Sequence, residues 1–115
     1  MYQKSYDHYE NESPDNFRRI EREALLRAIN ELEIGLKESQ KSIKTIKACA
    51  LIQSIWTIFL TDVMSDGNKL PVDLRAKIIS IGLWIQRELS DIETGKSNNF
   101  SGVIEVNKII AEGLK

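Results

Sequence analysis

The chain has 115 residues, enough for one domain, and is 42% hydrophobic and 29% charged. That apolar share excludes a wholly disordered chain, while 16 Lys plus Arg against 17 Asp plus Glu (net charge -1) argues against nucleic-acid or membrane-surface binding driven by bulk charge. One cysteine, Cys49, and one histidine, His8, exclude an intramolecular disulfide, a thiolate zinc site and a histidine-pair metal site.

Segment 1–12 is polar, carries Tyr2, Tyr6 and Tyr9, and shows no helical period. Up to Asp15 it sets Lys4 against Asp7, Glu10, Glu12 and Asp15, a net -3. It reads as a flexible or partner-dependent arm with no apolar stretch of the secretory-signal kind.

Residues 13–115 read as a single helical domain. The first helix should start at Ser13-Pro14: serine caps, proline suits the first helical position, and Asp15 sits at the positive end. Phe17, Ile20, Ala24, Ala28 and Leu32 then make an apolar stripe, widened by Leu25, Ile29 and Leu36. Arg19, Glu23, Arg27 and Glu31 form an alternating charge ladder on the other side.

The second helix is expected over 39–64. Lys41, Lys44 and Lys47, following Lys37, edge its start, and from Leu51 to Val63 apolar residues cover nearly the whole circumference. Such a helix is either central to a bundle or covered by a partner. Its longest apolar stretch, Ala48–Leu60, is broken by Gln53, Ser54 and Thr57. It falls short of the roughly 20 apolar residues that cross a bilayer, so a buried helix is expected, with Cys49 as a core thiol and the protein in the cytosol. Asp66-Gly67-Asn68 should end it.

The third helix is expected from Pro71 to Thr94-Gly95, with Leu74, Ile78, Ile81, Ile85, Leu89 and Ile92 as its stripe. Gly82 lies mid-helix at a cost of about 1 kcal/mol relative to alanine, which close approach of a neighbouring helix would offset. A short fourth helix, 100–113, should bury Phe100, Val103, Val106, Ile110 and Leu114. No strand alternation occurs, so the expected fold is all-α: a small bundle of three long helices plus a short C-terminal helix.

The chemistry-bearing residues form no recognisable constellation. Carboxylates alternate with Lys and Arg on solvent faces, the six glycines stand singly, and no acidic loop has calcium-binding spacing. The expectation is a protein that is not an enzyme and takes no cofactor or metal. Lys37, Lys41, Lys44 and Lys47 with Glu38 give a local +3, but no arginine or aromatic interleaves for base stacking. A solvated face therefore outweighs direct RNA contact. Trp56, Phe59, Leu60, Ile79, Leu83 and Trp84 exceed what single stripes need, as either a well-filled core or a surface for an amphipathic helix.

Met1-Tyr2-Gln3 with Tyr6, Glu21-Arg22-Glu23-Ala24-Leu25, Arg27-Ala28-Ile29, and Trp56-Thr57-Ile58-Phe59-Leu60-Thr61-Asp62 resemble the FlaF family of flagellar biosynthesis regulators. So do Leu70-Pro71-Val72-Asp73-Leu74-Arg75, Ile79-Ser80-Ile81-Gly82-Leu83-Trp84-Ile85, and Gly95 through Gly102 continuing to Ile104, Asn107 and Gly113-Leu114. The resemblance implies a small cytosolic helical protein that binds flagellin as a secretion chaperone and works alongside a second regulator, FlbT, which acts on flagellin message. It transfers no catalytic residues. On that reading the expected partner contacts are Trp56, Phe59, Leu83, Trp84, Phe100 and Ile104, with the tyrosine arm as a lid. The competing expectation is post-transcriptional control of flagellin mRNA, on RNA directly or through FlbT. A third is a structural subunit whose spare apolar surface makes a homodimer.

Overall fold

The computed structural model describes residues 14–113, with side chains from Glu21 onward. The arm expected over 1–12, the stripe residues Phe17 and Ile20, and Leu114 lie outside what is described. Four helices follow in order: α1 (Pro14–Glu38), α2 (Ile43–Met64), α3 (Val72–Glu93) and α4 (Phe100–Gly113). They are joined by the short segments 39–42, 65–71 and 94–99, which make consecutive helices neighbours. α1 packs most extensively on α2, α2 on α3, and α4 closes the ring against α1 and, more lightly, α3. The fold is all-α, three long helices and one short.

The core is formed by Leu25, Ala28, Ile29 and Leu32 of α1, Ile52, Trp56, Phe59, Leu60 and Val63 of α2, Ile78, Ile85 and Leu89 of α3, and Phe100, Val103 and Ala111 of α4. Of the expected stripes, Ile81, Ile92, Val106 and Ile110 are only half-buried against it, and Leu74, in the first turn of α3, is exposed. Across this interior the Trp56 indole Nε1 donates to Asn107 Oδ1 at 2.6 Å, while Asn107 Nδ2 donates to the Val103 carbonyl at 2.7 Å. A fully buried asparagine thus has both ends of its amide engaged, which removes most of its desolvation cost.

Serine and threonine hydroxyls move the start of α2 from residue 39 to residue 43. The Ser42 hydroxyl accepts from Thr45 N at 3.2 Å and donates to the Gly35 carbonyl at 3.1 Å, and the buried Thr45 hydroxyl donates to Ser39 O at 2.7 Å. Residues 39–42 therefore make a turn, which only glycine at position 35 permits: a Cβ there would stand 2.6 Å from Thr45 N. The lysine edge is divided as a result. Lys37 ends α1, Lys41 lies in the turn, and only Lys44 and Lys47 belong to α2.

The other two connections are built from the words that carry the family resemblance. Arg75 Nε donates to the Val63 carbonyl at 2.9 Å, satisfying an acceptor at the end of α2 that the helix itself cannot. Gly95 adopts φ +80° beyond α3, and Lys96 N reaches back to Asp91 O at 2.8 Å. Ser97 donates to the Glu88 carboxylate, and Asn99 caps α4 by accepting from Gly102 N at 3.1 Å.

Gly82 behaves as its mid-helix position suggests. A Cβ there would stand 2.7 Å from Leu60 Cδ2 and 2.8 Å from Trp56 Cε3, so α3 crosses α2 at a distance only glycine allows.

Candidate functional site

The six residues expected to contact a partner fall into three environments. Trp56, Phe59 and Phe100 are buried in the core, with the Trp56 and Phe59 rings tilted at 52° and 5.2 Å between centroids. They are unavailable to a ligand on the folded surface, because α2 turns its largest side chains inward to fill the bundle. Trp84 and Ile104 are half-buried and pack against the core with part of each side chain outside. Leu83 is exposed on α3 and does not join the core cluster.

Ile104 is the one of the six that lines a concavity. A shallow, open groove of about 790 Å³ runs along the outward face of α4, lined by Ser101, Ile104, Glu105, Lys108, Ile109 and Glu112, with Glu33 of α1 as its wall and Gly113 at its end. The α4 residues recur at helical spacing, so they share one side of the helix that flanks the buried Phe100, Val103 and Ala111 and borders α1. Ile109 is 62% exposed, and Lys108 Nζ reaches Glu33 Oε2 at 3.1 Å, tying α4 to α1 along the groove wall. Three carboxylates and one ammonium therefore frame an apolar floor. Ile109, Glu33, Glu105 and Lys108 were not among the expected contacts. The available signal was that Ile104 and Ile109 are the two isoleucines of the last helix lying off its core stripe.

Two other features have chemical character but converge on no site. Cys49 is half-buried and burial pushes its thiol up to about 11, so at neutral pH it is protonated and a poor nucleophile. Glu21 is buried on α1, and its carboxyl is raised from 4.5 to about 7, first by desolvation and then by the like charge of Asp62. Asp62 is itself raised by desolvation, an effect opposed by a hydrogen bond from Asn68. Among the described residues no group of three His, Cys, Asp or Glu side chains is placed to hold a metal ion.

A folded-state carboxyl above its unfolded value binds its proton more tightly when folded, so stability is greatest at low pH and is lost as pH rises from about 4.5 to about 7. Glu21→Gln should therefore gain about 2 kcal/mol at pH 8 and under about 1 kcal/mol at pH 5, read by urea unfolding at the two pH values. An equal gain at both would show that Glu21 does not carry this titration.

Compared with known families, the chain matches the model described as flagellar protein FlaF over residues 2–114. No curated relative and no solved structure matches the chain. The match includes all four helices, the α3–α4 turn built on Gly95–Gly102, and the groove on α4. With nearly its whole length accounted for, the chain belongs to the FlaF family and is a flagellar protein.

Proposed function

We propose that this chain is a flagellar biosynthesis regulator that binds flagellin as a chaperone in the cytosol, supporting or controlling its synthesis and export. The observation that carries this reading is the groove on α4, an apolar floor with charged walls on one rigid helix face. Helix-in-groove recognition uses such a surface, with apolar anchors at i, i+3, i+4 and i+7 of the bound helix. An amphipathic flagellin terminus, unfolded before export and prone to self-association, would find its apolar side covered there. No catalytic step or cofactor is part of the proposal.

Titration of the purified protein with full-length flagellin, and with flagellin lacking its C-terminal helix, tests the reading; no binding to either form overturns it. Ile109→Asp changes an exposed side chain on the groove floor and should weaken binding at least about tenfold while leaving the helical signal intact. Unchanged affinity would move the contact elsewhere.

The message-level alternative rests on Lys41, Lys44 and Lys47, all exposed, although Lys44 Nζ is held at 3.1 Å by Glu38. It requires RNA binding that falls steeply with salt and with charge reversal of these lysines. Salt-tolerant binding of flagellin that these changes leave alone favours the chaperone reading.

A further inference from the structure

α2 has a buried side that makes the core and an outward side with an unusual composition. Ile43, Ile46, Ala50, Ser54, Thr57 and Thr61 follow each other at three- and four-residue spacing, all exposed, with Leu51 alongside. Ile43 is 70% and Ile46 59% exposed. The hydroxyls of Thr57 and Thr61 are turned back onto their own helix, donating to Gln53 O at 2.9 Å and Thr57 O at 2.7 Å. At Thr57 the face borders α3, whose Gln86 Nε2 donates to the Thr57 hydroxyl at 3.1 Å and to Gln53 O at 3.0 Å. No charged residue occurs between Lys47 and Asp62. Contrary to the expectation of a buried helix too short to span a bilayer, α2 is apolar enough by length and composition to cross a membrane, and only 33% of that apolar window is buried within the fold. Scattered exposed leucines are ordinary in soluble proteins, but an exposed helix side with no charge over the 14 residues from Ala48 to Thr61 is not.

The charges at the two ends indicate what covers it. Lys41 and Lys47 stand exposed at the N-terminal end of α2, beside Lys44, which is already paired with Glu38 at 3.1 Å. Asp66 stands exposed just beyond the C-terminal end, while Asp62 is half-buried beside Glu21 and accepts from Asn68. The first turn holds no acidic residue and the last turn no basic one. This is opposite to what the helix dipole favours, so the arrangement gains nothing from α2 in isolation. It does match a second α2 laid antiparallel. A two-fold axis near Ser54 would bring the lysine end of each copy to the aspartate end of the other and set the two dipoles against each other. Ala50 and Ser54 at the crossing are small enough for close approach of the backbones.

We propose that the outward face of α2 is a homodimer interface, formed by antiparallel α2–α2 packing of two copies about a two-fold axis at Ser54. Such a contact is isologous: each surface is its own complement, with basic ends meeting acidic ends twice. The groove on α4 is not part of this interface, so the proposal is independent of flagellin binding.

Sedimentation of the full chain from about 5 to about 500 µM is the test, with a monomer–dimer equilibrium expected in that range. Ser54→Arg sets two like charges together on the axis and should leave a monomer throughout, with unchanged helical signal and melting temperature. In a Cys49→Ala background, Ser54→Cys should cross-link the dimer on oxidation, because the axis brings the two Cα atoms within the reach of a disulfide, roughly 7 Å; Lys47→Cys should not. A wild-type monomer at every concentration overturns the proposal. So does a dimer that Ser54→Arg leaves intact, or a monomer that partitions onto phosphatidylserine vesicles instead.

Discussion

Replacing Trp56 with alanine should destabilise the protein by about 3–5 kcal/mol, the usual cost of emptying a fully buried aromatic site. Against the 5–15 kcal/mol that holds small domains folded, that is a large fraction of the total, and urea midpoint and melting temperature should both drop sharply. Two losses combine. The indole leaves a cavity among Phe59, Leu60 and the backbone of Gly82, and Asn107 Oδ1 loses its donor in the interior. Trp56→Phe separates them: it keeps most of the ring volume and still orphans the amide oxygen, for about 1–3 kcal/mol. On the proposed chaperone reading, flagellin binding should fall in Trp56→Ala only in proportion to the unfolded fraction. A variant of wild-type stability that no longer binds flagellin would place the indole at the partner instead.

Gly82→Ala is the second large effect, and its sign runs against helix propensity. In an exposed helix interior the change would stabilise by about 1 kcal/mol. Here the new methyl would meet Leu60 Cδ2 at 2.7 Å and Trp56 Cε3 at 2.8 Å, both on core side chains with little room to retreat. Overpacking of this kind costs about 1–3 kcal/mol, so a net loss is expected, at roughly 4 °C of melting temperature per kcal/mol. Gly113→Ala is the control, since a Cβ at that position has nothing within 4 Å. If Gly82→Ala melts higher than wild type, α3 is not held against α2 at this crossing.

Both effects show why the stretches that resemble the family identify it better than they identify a site. Ile79 to Ile85 carries the glycine where α3 crosses α2. Leu70 to Arg75 supplies the guanidinium that satisfies the end of α2. Gly95 to Gly102 forms the left-handed turn and the asparagine cap of α4. Each is a constraint on assembling four helices, and none places a reactive group. Family membership therefore speaks first about fold and flagellar role, while the surface that meets a partner must be located from exposure.

Periodicity by itself determined the helix order, the centres of the buried stripes of α1, α3 and α4, the bounds of α4 and the role of Gly82, because each depends on local spacing along one chain. It counted exposed Leu74 into the α3 stripe, however, and missed Asn107 and Ala111 in that of α4. It could not orient α2, whose apolar residues cover nearly every direction. Packing decided that Ile52, Trp56 and Val63 face inward while Ile43, Ile46 and Leu51 face out. Spacing put Phe100 on the buried stripe of α4 and left Ile109 off it, but it could not show that Ile109 lines a groove walled by Glu33 of α1. The turn at 39–42 escaped it as well, since that depends on Thr45 approaching Gly35 across two helices. Length, charge and the scarcity of cysteine and histidine narrowed the chemistry from the start. Which of the many apolar side chains remain available to a partner is a property of four helices competing for one interior, and only the tertiary structure settles that competition.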